Sequence, residues 1–136
     1  MNGANDAFTA AFRGRAVVSV QNPLRLSNYT EPEPDIVLLK PRKNSYRGKH
    51  PEAEDALLVV EVADTTLRYD RNVKLPRYAA AAVPEVWIEN LEEDTLLVYR
   101  DPAGKTYKTC LTLHRLESVS LLAFPDVLFN VEELLG

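Results

Sequence analysis

The most constraining feature of the sequence is ALLVVEV at residues 56–62, a nearly unbroken apolar run that contains one acid, Glu61. Such a run has the length of a strand and is typical of a strand buried on both faces, inside a sheet that helices cover. A carboxylate there must face water, pair with another group or bind a cation, because burying it alone is costly. The run therefore predicts a central strand and makes Glu61 a candidate functional residue.

The residues after this run predict a strand–helix–strand unit. Asp70 is the expected N-cap of a helix over residues 70–82, in which Pro76 must lie within the first turn or kink the helix. VPEVWI at residues 83–88 is the next strand, with Trp87 in the core. A right-handed crossover with parallel strands is favoured for such a unit.

The remaining segments are mostly strands. We predict strands at residues 15–22 and 35–40, a hairpin over residues 95–113, and short helices at residues 6–12 and 131–135. The fold class is therefore α/β or α+β, a mixed β-sheet flanked by helices with a β-rich C-terminal part.

Length and charge exclude several classes of protein. The chain has 136 residues, enough for one domain, and its net charge of −4 argues against a surface built wholly to hold nucleic acid, though not against a local basic patch. The single cysteine, Cys110, cannot form an internal disulfide. Neither a membrane-spanning run nor a signal peptide is evident in the sequence, so we expect a cytoplasmic protein without a membrane partner.

Three residues together suggest metal-assisted chemistry. Asp35 begins a strand, Glu61 lies near the end of another, and Lys74 lies on the helix that follows. Two carboxylates can hold a divalent cation, and a nearby ammonium can stabilise a phosphoryl oxyanion or help to orient and deprotonate a water. The alternatives stay open: Asp35 as a polar strand start, and Lys74 as a solvated helix lysine paired with Asp70.

The loop KPRKNSYRGKH at residues 40–50 concentrates positive charge directly after the strand that begins with Asp35. We expect it to lie beside the metal site and to contact a phosphodiester backbone; the alternative is a solvated loop. Its basic residues are Lys40, Arg42, Lys43, Arg47 and Lys49. Tyr69 and Tyr78 either stack on bases or pack against protein.

PEPDIVLLKPR, followed by LLVVEVADTTLRYDRNVKLPRYAAAAVPEVWIEN, resembles the Uma-two family of restriction endonucleases in the PD-(D/E)XK nuclease superfamily. The resemblance covers nearly the whole chain from about Gly14. It implies a restriction endonuclease-like mixed sheet with a Mg²⁺ or Mn²⁺ site held by Asp35, Glu61 and the Val62 carbonyl. The superfamily's usual lysine position is Ala63 here, so the resemblance assigns that role to Lys74 and makes Asp70 its positioning partner.

The resemblance also implies an N-terminal helix and hairpin, with a further acid, that this sequence does not match. We therefore expect residues 1–136 to form one domain that lacks them. The leading hypothesis is a Mg²⁺-dependent endonuclease acting on DNA. The alternative is a catalytically incomplete member that binds DNA or a protein, or forms a homodimer; a third possibility is an enzyme acting on another phosphoester.

Overall fold

The apolar run identified above forms a central strand of a six-stranded sheet in the computed structural model, which describes residues 3–43, 46–65 and 67–136. The strands follow the order β1-β2-β3-β4-β5-β6 across the sheet. They are β1 (Val17–Val20), β2 (Ile36–Leu39), β3 (Ala56–Ala63), β4 (Glu85–Asn90), β5 (Thr95–Ala103) and β6 (Thr106–His114).

The sheet is mixed, as the sequence predicts. β3 and β4 pair in parallel, and every other neighbouring pair is antiparallel. Most side chains of β3 and all of those of β4 are buried, because helices and loops cover both faces of the sheet. A short hairpin of β7 (Ser118–Val119) and β8 (Phe129–Asn130) lies outside it.

One face of the sheet carries α1 (Gly3–Ala11) and α4 (Val131–Leu135). Phe8 and Phe12 pack there with Trp87, which is fully buried as predicted. The other face carries a continuous helical segment over residues 67–80, here called the α2–α3 segment. It consists of α2 (Leu67–Tyr69), a π-helical turn (Asp70–Lys74) and α3 (Leu75–Ala80).

The α2–α3 segment corrects the predicted helix start. Asp70 is not the N-cap, because helical residues precede it and it lies buried within the π-helical turn. Pro76 is the second residue of α3 and lies two positions after the last residue of this turn. A proline ring clashes with the carbonyl four residues earlier in a regular helix, and the wider π-helical turn avoids that clash.

None of the helices in the described part of the chain is both long enough and apolar enough to span a bilayer.

Candidate active site

Asp35 and Glu61 meet at one end of the sheet because of the strand register. β2 and β3 run antiparallel with Ile36 opposite Val60, and extending this register by one residue beyond β2 sets Asp35 opposite Glu61. Both point to the face that the α2–α3 segment covers, because strand side chains alternate and Val37 and Val59 pack on that face. The Asp35 backbone N–H donates a hydrogen bond to Glu61 Oε1, with an N···O distance of 3.3 Å.

Glu61 is a buried carboxylate with two partners on the α2–α3 segment. Only 2% of the residue is exposed. The Tyr78 hydroxyl donates to Glu61 Oε2 at 2.6 Å, and Lys74 Nζ lies 3.5 Å from the same oxygen. Burial raises the pKa of Glu61 to about 7, since the loss of hydration outweighs the opposing effects of Tyr78 and Lys74.

Lys74 joins Glu61 to a second buried acid. Its Nζ lies 3.4 Å from Asp70 Oδ1, four residues earlier on the same helical segment. Partial burial lowers the pKa of Lys74, but the carboxylates of Glu61 and Asp70 raise it more, so it stands above its ordinary value. Lys74 therefore holds its proton firmly and acts as a fixed positive charge.

The donor set fits a hard cation that keeps part of its water shell. The Val62 backbone N–H donates to Asp35 Oδ2 at 2.7 Å. Since the N–H and C=O of one strand residue point to the same side, the Val62 carbonyl faces the Asp35 side, where β2 has ended. Magnesium is commonly held by one or two carboxylates together with waters, and Asp35, Glu61 and this carbonyl match that pattern.

Only two of the ligands in this candidate magnesium site are acidic side chains. Within residues 3–43, 46–65 and 67–136, no three His, Cys, Asp or Glu side chains form a group that could hold a metal ion. The metal ligation inferred from the sequence thus stays a prediction.

Tyr78 is the site residue whose role the sequence analysis did not identify. It is 1% exposed, so it is not available to stack on a base, whereas Tyr69 is 51% exposed. The signal was present in the spacing, because Lys74 and Tyr78 are four residues apart and therefore share a helical face. The hydroxyl group gives Glu61 a donor that no aliphatic core residue could supply.

The basic loop does not begin beside the acid pair. Lys40 follows the last residue of β2, and its N–H donates a hydrogen bond to the carbonyl oxygen of Asp55, the residue before β3. Asp35 lies at the other end of β2, roughly 16 Å away for five residues of extended chain. The first residue of the loop is therefore not beside Asp35, and DNA contact by the loop residues stays a prediction.

Two of the five basic residues also have acidic partners. Arg42 contacts the buried carboxylate of Asp55 and lies 4.8 Å from the ring centre of Tyr46. Lys49 Nζ lies 4.0 Å from Glu52 Oε1. Lys40, Lys43 and Arg47 are exposed, and positions 44 and 45 of the loop lie outside the described residues.

Comparisons with known proteins agree with this architecture. A crystal structure of a protein from Anabaena variabilis ATCC 29413, described as "a putative nuclease belonging to DUF820", matches with a TM-score of 0.66 and 12% identity. The match covers 97% of this chain and 74% of that chain, and at such low identity it shows the fold alone. No curated protein matches the chain significantly.

The family match is nearly complete along the chain. The model of the Uma2 (Uma-two) family, described as "Putative restriction endonuclease", matches residues 4–132. The resemblance inferred from the sequence is thereby confirmed, and the chain belongs to the Uma2 family.

Proposed function

We propose that this member of the Uma2 family is an endonuclease that hydrolyses phosphodiester bonds in DNA with Mg²⁺ or Mn²⁺. The observation that carries the proposal is the pair of adjacent acids, Asp35 and Glu61, joined by a hydrogen bond from the Asp35 N–H to Glu61 Oε1, with the Lys74 ammonium 3.5 Å from Glu61 Oε2. The description of the family as restriction endonucleases supports DNA as the substrate.

Asp35, Glu61 and the Val62 carbonyl would hold the cation. Once bound, a divalent cation supplies charge neutralisation and lowers the pKa of a bound water, which makes hydroxide available at neutral pH. The chain's own task is orientation. The Val62 N–H fixes one oxygen of Asp35, and the Tyr78 hydroxyl fixes one oxygen of Glu61.

Lys74 would stabilise the negative charge that develops on a phosphoryl oxygen. Its raised pKa favours this role over that of a general base, because the ammonium stays charged at neutral pH. Asp70 would act as the positioning partner, since its Oδ1 lies 3.4 Å from Lys74 Nζ, which also contacts Glu61. A substitution of Asp70 would thus act through Lys74.

The basic loop would contact the DNA backbone away from the acids. Lys40, Lys43 and Arg47 are exposed and can each neutralise a phosphate, while Arg42 and Lys49 would divide their charge between DNA and their acidic partners. Contacts of this kind hold a duplex in place without selecting a sequence.

The cation site is tested by thermal unfolding with and without Mg²⁺ or Mn²⁺. A cation at a hundredfold excess over its Kd stabilises by about 2.7 kcal/mol, a rise in Tm of several degrees for a chain of this size. We expect this rise in the wild type and in an exposed-acid control, Glu92→Gln/Glu93→Gln. Equal stabilisation of Asp35→Asn/Glu61→Gln would reject the site.

The second candidate is a non-catalytic member that binds DNA or a protein, or forms a homodimer. It is favoured by the ion pair itself, because Lys74 and Tyr78 already contact Glu61 without a cation. A second copy could pair with β6, a nine-residue strand at the edge of the sheet. No cation-dependent rise in Tm in any variant would favour this candidate.

A further inference from the structure

A cavity of about 220 Å³ opens beside Lys74 and Tyr78. One wall comes from the chain before β2 and the other from the α2–α3 segment. The lining residues are Leu26, Pro32, Glu33, Tyr69, Lys74, Arg77 and Tyr78. Because Lys74 and Tyr78 also contact Glu61, the cavity adjoins the proposed metal site directly.

The lining combines flat apolar surface with charge. Leu26 and Pro32 supply aliphatic surface, and Tyr69 contributes an aromatic ring although 51% of the residue is exposed. Lys74 Nζ lies 5.9 Å from the centre of the Tyr69 ring. Such a cavity suits a planar group that is attached to a negatively charged one.

The size of the cavity limits what can enter. At about 220 Å³ it falls below the roughly 300–1,000 Å³ of sites for drug-sized ligands. One nucleobase is of a suitable size, whereas two stacked bases are not. A base inside a duplex is stacked and paired, so it could reach the cavity only after leaving the helix.

Building on the proposed function, we infer that this cavity receives one unstacked base of the DNA strand that is cleaved. Tyr69 stacks on the base, and Lys74 and Arg77 lie against the adjacent phosphates. The Glu33 carboxylate accepts a hydrogen bond from an exocyclic amino group, such as N4 of cytosine. The substrate class is therefore DNA with an unpaired or extruded nucleotide.

Binding measured in EDTA tests this inference without cleavage. Fluorescence anisotropy compares a perfect duplex with the same duplex containing one unpaired cytosine. We expect tighter binding of the second DNA by the wild type. Tyr69→Ala should weaken that binding roughly 5- to 150-fold, as expected for one lost stacking contact.

Two controls separate stacking from other effects. Tyr69→Phe keeps the ring and should bind both DNAs as the wild type does. Lys108→Ala removes an exposed charge on β6 and should leave the preference for the unpaired base unchanged. Replacing the unpaired cytosine by 2-aminopurine gives a second readout, because its fluorescence reports whether the base is stacked on Tyr69.

Plasmid nicking with Mn²⁺, measured in parallel, distinguishes failure of the base cavity from failure of the proposed endonuclease function. If the protein nicks plasmid but binds both duplexes equally, the base cavity is overturned and the proposed function stands. Equal binding of the unpaired cytosine by Tyr69→Ala and the wild type also overturns it. If the protein neither nicks plasmid nor binds either duplex, the proposed function fails and the inference fails with it.

Discussion

Replacing Glu61 by glutamine should change how the stability of the protein depends on pH. Glu61 is 2% exposed, and burial raises its pKa from 4.5 to about 7. A carboxyl group whose pKa is higher in the folded state stabilises fully below its unfolded pKa, and this contribution is lost as the pH rises through the folded value. The interval from 4.5 to 7, at ~1.4 kcal/mol per pH unit, amounts to about 3 kcal/mol.

The assay is urea unfolding in EDTA between pH 4.5 and pH 8.5. The free energy of unfolding of the wild type should fall by about 3 kcal/mol relative to Glu61→Gln over this range. Glu92→Gln, which alters an exposed acid, should run parallel to the wild type. Mn²⁺ should flatten the wild-type profile, because the cation stabilises the ionised carboxylate. Parallel profiles for the wild type and Glu61→Gln would refute the account of a buried, destabilised charge.

Two further substitutions test other buried contacts by urea unfolding. Tyr78→Phe removes the hydroxyl that donates to Glu61 Oε2 and should cost about 1.5–3 kcal/mol at pH 8.5, the value of a hydrogen bond to a charged group; an unchanged midpoint would contradict this. Glu85→Ala removes the fully buried acceptor of Arg100 Nε and Trp87 Nε1 and should cost about 3–5 kcal/mol. A loss below 1 kcal/mol would show that these donors find other partners.

The central strands could be predicted from the sequence because strands buried on both faces have a recognisable sequence pattern. β3 and β4 are covered on both faces, so their apolar runs are almost unbroken, and the helical segment between them favours parallel pairing. The structure confirms both strands and their pairing.

The proximity of Asp35 and Glu61 could not be predicted from the sequence, because it depends on the register between β2 and β3. Residues 40–55 separate β2 from β3, and a loop of that length does not fix which residues face each other. A slip of one residue would have placed Asp35 opposite Val60 or Val62, with the side chains of Asp35 and Glu61 on different faces of the sheet. Only the observed pairing of Ile36 with Val60 brings Asp35 and Glu61 together.

Two differences between the expectations and the structure have identifiable causes. Asp70 has the residue type preferred at an N-cap, but the helical residues of α2 precede it, so the helical segment begins earlier than Asp70. The basic loop was expected near Asp35 because it follows the same strand. Asp35 precedes β2 and Lys40 follows it, so the direction of the strand alone places the start of the basic loop at the end of β2 away from Asp35.

Cleavage of supercoiled plasmid with Mn²⁺ tests the central claim most directly, with the wild type beside Lys74→Ala and the exposed-lysine control Lys108→Ala. The account predicts conversion to open-circular or linear DNA by the wild type and the control. It predicts at least a tenfold slower rate for Lys74→Ala, because a charge that stabilises the phosphoryl oxygen is lost. Cleavage by Lys74→Ala at the wild-type rate would contradict the account.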